Sequence, residues 1–186
     1  DLFGCDALAL GIVLDLIAFD LAEVAATTAN LFRPAASTNG VTLTNHIPGP
    51  MPVIGDPARV QQILSNFVSN AVKFTTTGSI EIRTRLAAEG MIRIEVHDTG
   101  IGIEPAVLPQ LFAAYKQADT STARQFGGTG LGLSIARRLA EAMGGSVGAD
   151  SKLGLGSCFW VALPLPRTNS AALAPSPDAK LAMLKM

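Results

Sequence analysis

Three short stretches of the chain bring together side chains whose types and spacing could do chemistry. In NFVSNAVKF at 66–74, Asn66, Asn70 and Lys73 stand four and three residues apart. On a helix that spacing makes one stripe. At roughly 100° per residue the stripe lies about 110° from the centre of the apolar face, at the rim of a core where a pocket could open. An Asn carbonyl is a hard oxygen ligand suited to Mg²⁺, and a Lys ammonium suits phosphate. A solvated boundary stripe would have the same spacing.

The second stretch is DTGIGI at 98–103. Alternation along the preceding run puts Asp98 on the same face as Ile92, Ile94 and Val96, the face that points into a core. A buried carboxylate without a donor is costly. Its donor is either the turn itself, as an Asx-type bond, or a ligand's exocyclic amine such as that of adenine. Gly100 and Gly102 would let a ligand approach the backbone closely. The third stretch is GGTGLGLSIARRL at 127–139. Its glycines precede and open a helix whose Leu133, Ile135, Ala136 and Leu139 can pack inward. The N–H groups at such a helix start form a phosphate cradle, although a flexible turn with an ordinary cap is the plainer alternative. The Gly-Lys-Ser/Thr ending of a Walker A loop is absent, and no strand runs into the glycines as a Rossmann fingerprint requires.

These residues need elements to position them. Asp20 can cap a helix, with Glu23 completing a capping box; Leu21, Val24, Thr28, Leu31 and Ala35 then recur at helical spacing. Pro34 is expected to kink or end that helix. VTLTNHI at 41–47 alternates like a strand and leads into the turn PGPMP. Asp56 and Pro57 start a second helix, with Val60, Ile63, Leu64, Phe67, Ala71 and Phe74 as its buried face. SIEIRTRL at 79–86 and MIRIEVHD at 91–98 alternate with period two and are joined by AAEG as a hairpin. A third helix is expected from about Thr129 to Met143, ended by Gly144 and Gly145. Two further strands fall near 146–150 and 157–163, and an Ala/Pro/Ser-rich linker follows Pro164. This order predicts an α/β two-layer sandwich, with helices on one face of a mixed, mostly antiparallel sheet.

Composition narrows the function. With 186 residues, 48% of them hydrophobic, the chain can build one domain with a real core but not two large ones. The net charge of −1 lacks the basic excess of a general nucleic-acid binder. Residues 1–60 hold two basic and six acidic side chains and residues 61–186 twelve and nine, so an anionic ligand would favour the second part. Cys5 and Cys158 are far apart in sequence, with no Cys or His at ligand spacing. That argues against both a zinc site and a disulfide scaffold and fits a reducing, cytoplasmic setting. ALALGIVL at 7–14, bracketed by Asp6 and Asp15, is too short to span a membrane. His46, at a strand end, and His97, on an outward strand face, read as surface histidines; neither sits on a helix before an acid.

Metal ligand, base reader and phosphate cradle in one chain, in this order, resemble the catalytic and ATP-binding domain of sensor histidine kinases, within the GHKL superfamily. NFVSNAVKFT resembles the N box, DTGIGI the first glycine box, LFAAYKQ at 111–117 the F box and GGTGLGL the second glycine box. QADTSTARQFGGTGLGLSIARRLAEAMGG resembles the lid and following helix of hybrid kinases. The resemblance covers roughly residues 19–166. The F box here reads Phe112-Ala113-Ala114-Tyr115, where the family places an acid and a proline.

The resemblance implies a Bergerat ATP-binding fold and ATP and Mg²⁺ as cofactors. Asn70 would hold the metal, with Asn66 one turn earlier on the same wall. Lys73 would meet phosphate, Phe74 would border the nucleotide and Asp98 would read the adenine amine. Gly100 and Gly102 would shape the adenine end, while Gly128, Thr129, Gly130, Leu131 and Gly132 would give backbone contacts to the phosphates. Lys116 and Arg124, in a lid over about 113–127, would reach the γ-phosphate. The implied reaction is protein-histidine kinase chemistry, with transfer to a histidine on an adjoining dimerisation domain. Residues 1–18 would be a lead-in from that upstream helical hairpin and residues 167–186 a linker toward a response-regulator receiver domain. The whole protein would be a homodimer, and this part would touch neither nucleic acid nor membrane. A GHKL ATPase is one rival, but such ATPases carry a Glu base where this chain has Asn66. A degenerate, non-catalytic nucleotide-binding module is the other.

Overall fold

The computed structural model of the chain describes residues 12–87, 90–112 and 131–169. Two aspartates start its long helices. Asp20 accepts from Ala22 N at 2.9 Å and caps α1 (Leu21–Thr38). Its Oδ1 also accepts from Met51 N at 2.9 Å, which ties the helix start to a distant loop. Asp56 accepts from Arg59 N at 3.1 Å and caps α2 (Pro57–Phe74). Pro57 opens that helix, where a missing N–H costs nothing. The expected kink at Pro34 does not end α1, which continues to Thr38. One proline N–H is lost near the helix end, while Ala29 and Ala36 on either side remain buried. Leu31, which shares the predicted stripe, is exposed.

The main sheet has the order β2 (Val41–Asn45), β4 (Gly78–Leu86), β5 (Ile92–Asp98), β7 (Gly156–Leu163), β6 (Ser146–Lys152). β2 runs parallel to β4 and the remaining neighbours are antiparallel. α1, α2 and α3 (Leu131–Ala142) pack on this sheet and on one another, with α2 between the other two. The alternating residues Ile92, Ile94 and Val96 of β5 and Phe159, Val161 and Leu163 of β7 meet Ile63, Leu64, Phe67 and Val68 of α2 in the core. Each such side chain stabilises the fold by about 1.5–3 kcal/mol when fully buried. In α3, Ala136 and Leu139 face the core as expected and Leu133 packs at its edge, but Ile135 is turned outward.

A smaller sheet pairs β1 (Ile17–Asp20) antiparallel with β3 (Pro52–Gly55). Ile17 and Ala18, expected in the lead-in, are therefore part of the folded layer. Neither strand is long enough to announce itself by alternation; the Phe19–Val53 pairing is what defines them. The chain stays docked from Leu165 to Thr168, while the rest of the expected linker, residues 170–186, lies outside the described residues. Leu165 is 1% exposed, Ile54 N donates to Pro166 O at 2.9 Å and Thr168 N donates to Pro52 O at 3.1 Å. The unpaired edge of β3 supplies these bonds, and one apolar side chain between two prolines supplies the anchor. Replacing Leu165 by Ala should cost about 2–5 kcal/mol, as for other fully buried leucines. Urea unfolding of the variant beside the parent measures this; an unchanged midpoint would mean that the tail is merely laid on the surface.

Candidate functional site

The residues singled out from sequence come together around the second half of α2. Asn66 and Asn70 are half-buried on its flank and Lys73 is exposed, its Nζ 5.1 Å from the centroid of the half-buried Phe74 ring. At the end of this helix, Phe74 O accepts from Ile101 N at 3.3 Å. Gly100 lies so close that a Cβ there would collide with the Phe74 carbonyl oxygen. The loop after β5 is thus seated on the end of α2, and only glycine permits that approach. On the other side of the stripe, Gly132 opens α3, and a Cβ on it would sit 3.1 Å from Asn66 Oδ1. The first turn of α3, with its exposed Leu131, therefore faces the Asn66 end of α2. Lys116, Arg124, Gly128, Thr129 and Gly130 lie outside the described residues.

Asp98 stands at the end of β5, 8% exposed, on the core side as alternation predicts. Its Oδ1 accepts from Gly100 N at 2.8 Å, the local turn bond anticipated for this motif. The Ser157 N–H also donates to the carboxylate. Burial pushes the Asp98 carboxyl above its usual range, and these N–H groups and the neighbouring His97 only partly offset it. The turn bond and a ligand bond are compatible, since a carboxylate accepts at several lone pairs.

Three hydroxyls that the sequence reading passed over hold this corner. Thr99 Oγ1 accepts from Ser79 N at 3.0 Å. Ser151 Oγ accepts from Ile103 N at 2.8 Å, donates to Gly156 O at 2.9 Å and lies 2.9 Å from Ser157 Oγ. Gly102 has φ +69° and Gly154 N donates to Ile101 O at 2.7 Å, so the loop is pinned to the β6–β7 turn. Only the strand register, which pairs Asp98 with Ser157 and Ser151 with Ser157, brings these groups together. Of the F box, Phe112 meets Phe159 edge-on at 6.3 Å, and Phe159 in turn lies 5.8 Å from Phe67. A groove of about 430 Å³ between α1 and α2 takes in Phe32, Ser69 and Lys73. Of the candidate site residues it holds Lys73 alone, and the convergence on Asn66, Phe74 and Asp98 locates the site better.

The histidines differ in setting. His46 is exposed, with Thr44 Oγ1 at 3.1 Å. His97 does face outward but is more than a lone surface residue: its Nε2 lies 2.9 Å from Glu95 Oε2. Glu95 is 5% exposed. Burial works to raise its carboxyl, but His97, Arg85 and Arg93 prevail and hold it below the usual range. Burial, together with the charge of Glu95, pushes the Cys158 thiol up to about 11. A thiol so placed is no nucleophile at neutral pH.

The family model for histidine kinase-, DNA gyrase B- and HSP90-like ATPases matches residues 55–167. The chain belongs to this family. The sensor histidine kinase GacS of Pseudomonas protegens is 45% identical over 87% of the chain, and the histidine kinase BarA of Escherichia coli K12 is 40% identical over 80%. The chain spans 18% and 17% of these relatives, about a fifth of their length. Full-length ShkA, solved in complex with AMPPNP, superposes with a TM-score of 0.75 at 34% identity, over 89% of this chain and 35% of that one. The nucleotide-free catalytic domain of the kinase ThkA superposes with a TM-score of 0.68 at 25% identity, over 81% of this chain and 95% of its own. The chain is therefore an ATP-binding catalytic domain of the kind found in two-component sensor histidine kinases.

In this catalytic domain the raised Asp98 has a stability consequence with a definite sign. The folded state holds the Asp98 proton more tightly than the unfolded chain does. The carboxylate therefore costs stability at neutral pH, and the cost fades as pH falls through the folded value toward the unfolded one near 3.9. Asp98→Asn keeps an oxygen for the Gly100 N–H and removes the buried charge. Without nucleotide, its unfolding free energy at pH 7 should equal or exceed that of the parent, with the gap narrowing toward about pH 4. Urea midpoints across that range test it. A loss of about 1–3 kcal/mol at pH 7 would instead make Asp98 a structural residue.

Proposed function

We propose that this domain binds Mg-ATP between α2, the Asp98 loop and the start of α3, and passes the γ-phosphoryl group to a histidine on an adjoining dimerisation domain. The observation that carries the reading is the convergence on α2, with Gly132 against Asn66 at one end and Gly100 against Phe74 at the other. It gathers an amide wall, a helix N-terminus and a buried carboxylate in one place, the groups needed for metal, phosphate and adenine. Asp98 accepts from the adenine amine, with Gly100 and Gly102 shaping that end. Phe74 borders the nucleotide and Lys73 meets phosphate. Gly128, Thr129, Gly130, Leu131 and Gly132 offer backbone N–H groups to the phosphates. Lys116 and Arg124 reach the γ-phosphate from the lid.

The donor set suits Mg²⁺. Asn70 offers a half-buried carboxamide oxygen, a hard ligand, and Asn66 Oδ1 is turned to the phosphate end at Gly132. Asn70 would hold the ion, which would supply positive charge against the phosphates. The protein groups orient the nucleotide and exclude water. An amide at Asn66 takes no proton at neutral pH, so water finds no base there and the attacking group comes from outside the domain. The relatives are sensor kinases, and a hybrid kinase of Dictyostelium discoideum is 44% identical over 70% of the chain. These likenesses support an upstream dimerisation hairpin with the phosphoacceptor, a receiver domain as partner and a homodimeric whole protein. No helix of the described residues is long and apolar enough to cross a membrane. This part is proposed to work in the cytoplasm, where ATP is at hand.

Two experiments test the proposal. Asp98→Asn should weaken ATP binding by the roughly 1.5–3 kcal/mol of a charge-assisted bond, and GTP should bind the parent poorly; equal calorimetric affinity for ATP and GTP would remove the base reader. With the upstream hairpin of the same protein added, Mg-ATP should label a histidine on that hairpin. Asn70→Ala should abolish the labelling, while His46→Ala leaves it intact. Brisk phosphate release by the domain alone, lost in Asn66→Ala, would move the assignment to an ATPase. Nucleotide binding with no labelling would make the domain a non-catalytic module.

A further inference from the structure

The face of the sheet turned away from the helices carries an arrangement that the nucleotide chemistry does not use. Arg93, Glu95 and His97 of β5 project there, as do Cys158 and Trp160 of β7; His97 is paired with Cys158 and Glu95 with Trp160 in the register. Glu95 is held firmly. Its Oε1 accepts from Arg85 Nε at 2.6 Å and lies 2.7 Å from Arg93 Nε. Arg93 is itself fixed, its guanidinium 4.2 Å from the centroid of the Trp160 ring and 3.2 Å from Asp150 Oδ2. Trp160 lies across Gly148, where a Cβ would collide with the indole.

With Oε1 committed to the two arginines, Oε2 is aimed at His97 Nε2, 2.9 Å away. Cys158 Sγ lies 3.6 Å from the same nitrogen. One donor atom of each residue lies within 4.8 Å of the other two. Oxygen, nitrogen and sulfur donors thus converge on one spot, half open to solvent through His97 and Cys158. Such mixed sets suit borderline ions, and three protein ligands with an open fourth position are a usual zinc arrangement. A ligating carboxylate normally has its second oxygen held from outside the coordination shell; here Arg85 holds it by a hydrogen bond and Arg93 by an ion pair.

We propose that Glu95 Oε2, His97 Nε2 and Cys158 Sγ bind a divalent ion of the zinc type on the outer face of the sheet. The site stands back to back with the Asp98–Ser157 pair, since His97 precedes Asp98 and Cys158 follows Ser157. On binding, the ion replaces the thiol proton, which leaves to solvent, and the Glu95–His97 hydrogen bond gives way to two bonds to the metal. The fourth position is left to water or to a donor from a partner. The sequence spacing that argued against zinc looks along the chain, whereas these ligands meet across two strands 61 residues apart.

The test uses the chain freed of metal by chelation and titrated with Co²⁺ alone, then with Zn²⁺. One equivalent of Co²⁺ should produce a near-ultraviolet thiolate-to-cobalt band, and Zn²⁺ should displace it. Cys158→Ser should abolish the band and Cys5→Ser should leave it unchanged. His97→Gln, a milder substitution, should weaken Co²⁺ binding at least tenfold, with folding checked by near-ultraviolet dichroism. ATP binding by the parent, measured in parallel, stands apart from this readout. No band at millimolar Co²⁺, a band that survives Cys158→Ser, one lost with Cys5→Ser or one indifferent to His97→Gln would each overturn the site.

Discussion

The close approach of the β5 loop to the end of α2 is the constraint on which the rest of the site depends. Gly100 sits against the Phe74 carbonyl oxygen with no room for a side chain, and Ile101 N bonds that same oxygen. The contact exists because both partners are fixed from behind. Behind α2 are Ile63, Leu64, Phe67 and Val68, all fully buried against the sheet. Behind the loop are the Thr99 hydroxyl, which bonds Ser79 across to β4, and the glycine-rich turn between β6 and β7. A helix end, a strand end and a turn are therefore locked together by backbone, and the side chains of Phe74 and Asp98 inherit their positions from it. Phe67 extends the same frame toward the F box through Phe159 to Phe112.

Within that frame, Asp98 is a departure from what stability alone would select. A carboxylate 8% exposed, at the end of a run of isoleucine and valine, is desolvated, and its raised proton affinity records the cost. Two backbone N–H groups satisfy part of its acceptor capacity. In the proposed reading, a ligand amine would take the rest. Preorganisation of this kind puts the cost into folding, so that it need not be met on binding. The core can bear it: α2 alone buries Val60, Ile63, Leu64, Phe67, Val68, Ala71 and Val72.

The parts legible in sequence were those written by local chemistry. Asp20 and Asp56 cap helices because a side-chain oxygen two or three residues before a free N–H is a local fact. The alternation of 79–86 and 91–98 revealed β4 and β5, and with them the inward side of Asp98. What stayed hidden was made by register. β1 and β3 are four-residue strands that exist through each other. Leu165 stands alone between prolines and shows no period at all, yet it anchors the tail. Ser151 and Ser157 are unremarkable hydroxyls until pairing sets them beside Asp98. Pro34 does not end α1, which runs on to Thr38 with Ala29 and Ala36 buried on either side: the helix-ending effect of a proline is local, and burial of its neighbours is not.

The two faces of β5 show how one strand can serve two unrelated purposes. Period-two alternation sends Ile92, Ile94, Val96 and Asp98 to the helix side, and Arg93, Glu95 and His97 to the other. Each face is completed by the matching face of β7: Ser157 stands opposite Asp98, and Cys158 opposite His97. A register slip of one residue would carry the polar set into the core and the apolar set out of it. The buried run Ile92–Val96 thus specifies the pairing of both polar groups at once. The outer cluster adds to this specification, since Arg85 from β4 and Arg93 from β5 close on Glu95, and Trp160 from β7 reaches Gly148 on β6. It links four strands by side chains on the face that none of the described helices covers. The end of β5 that presents Asp98 is therefore braced from both sides, by helices on one and by a charged lattice on the other.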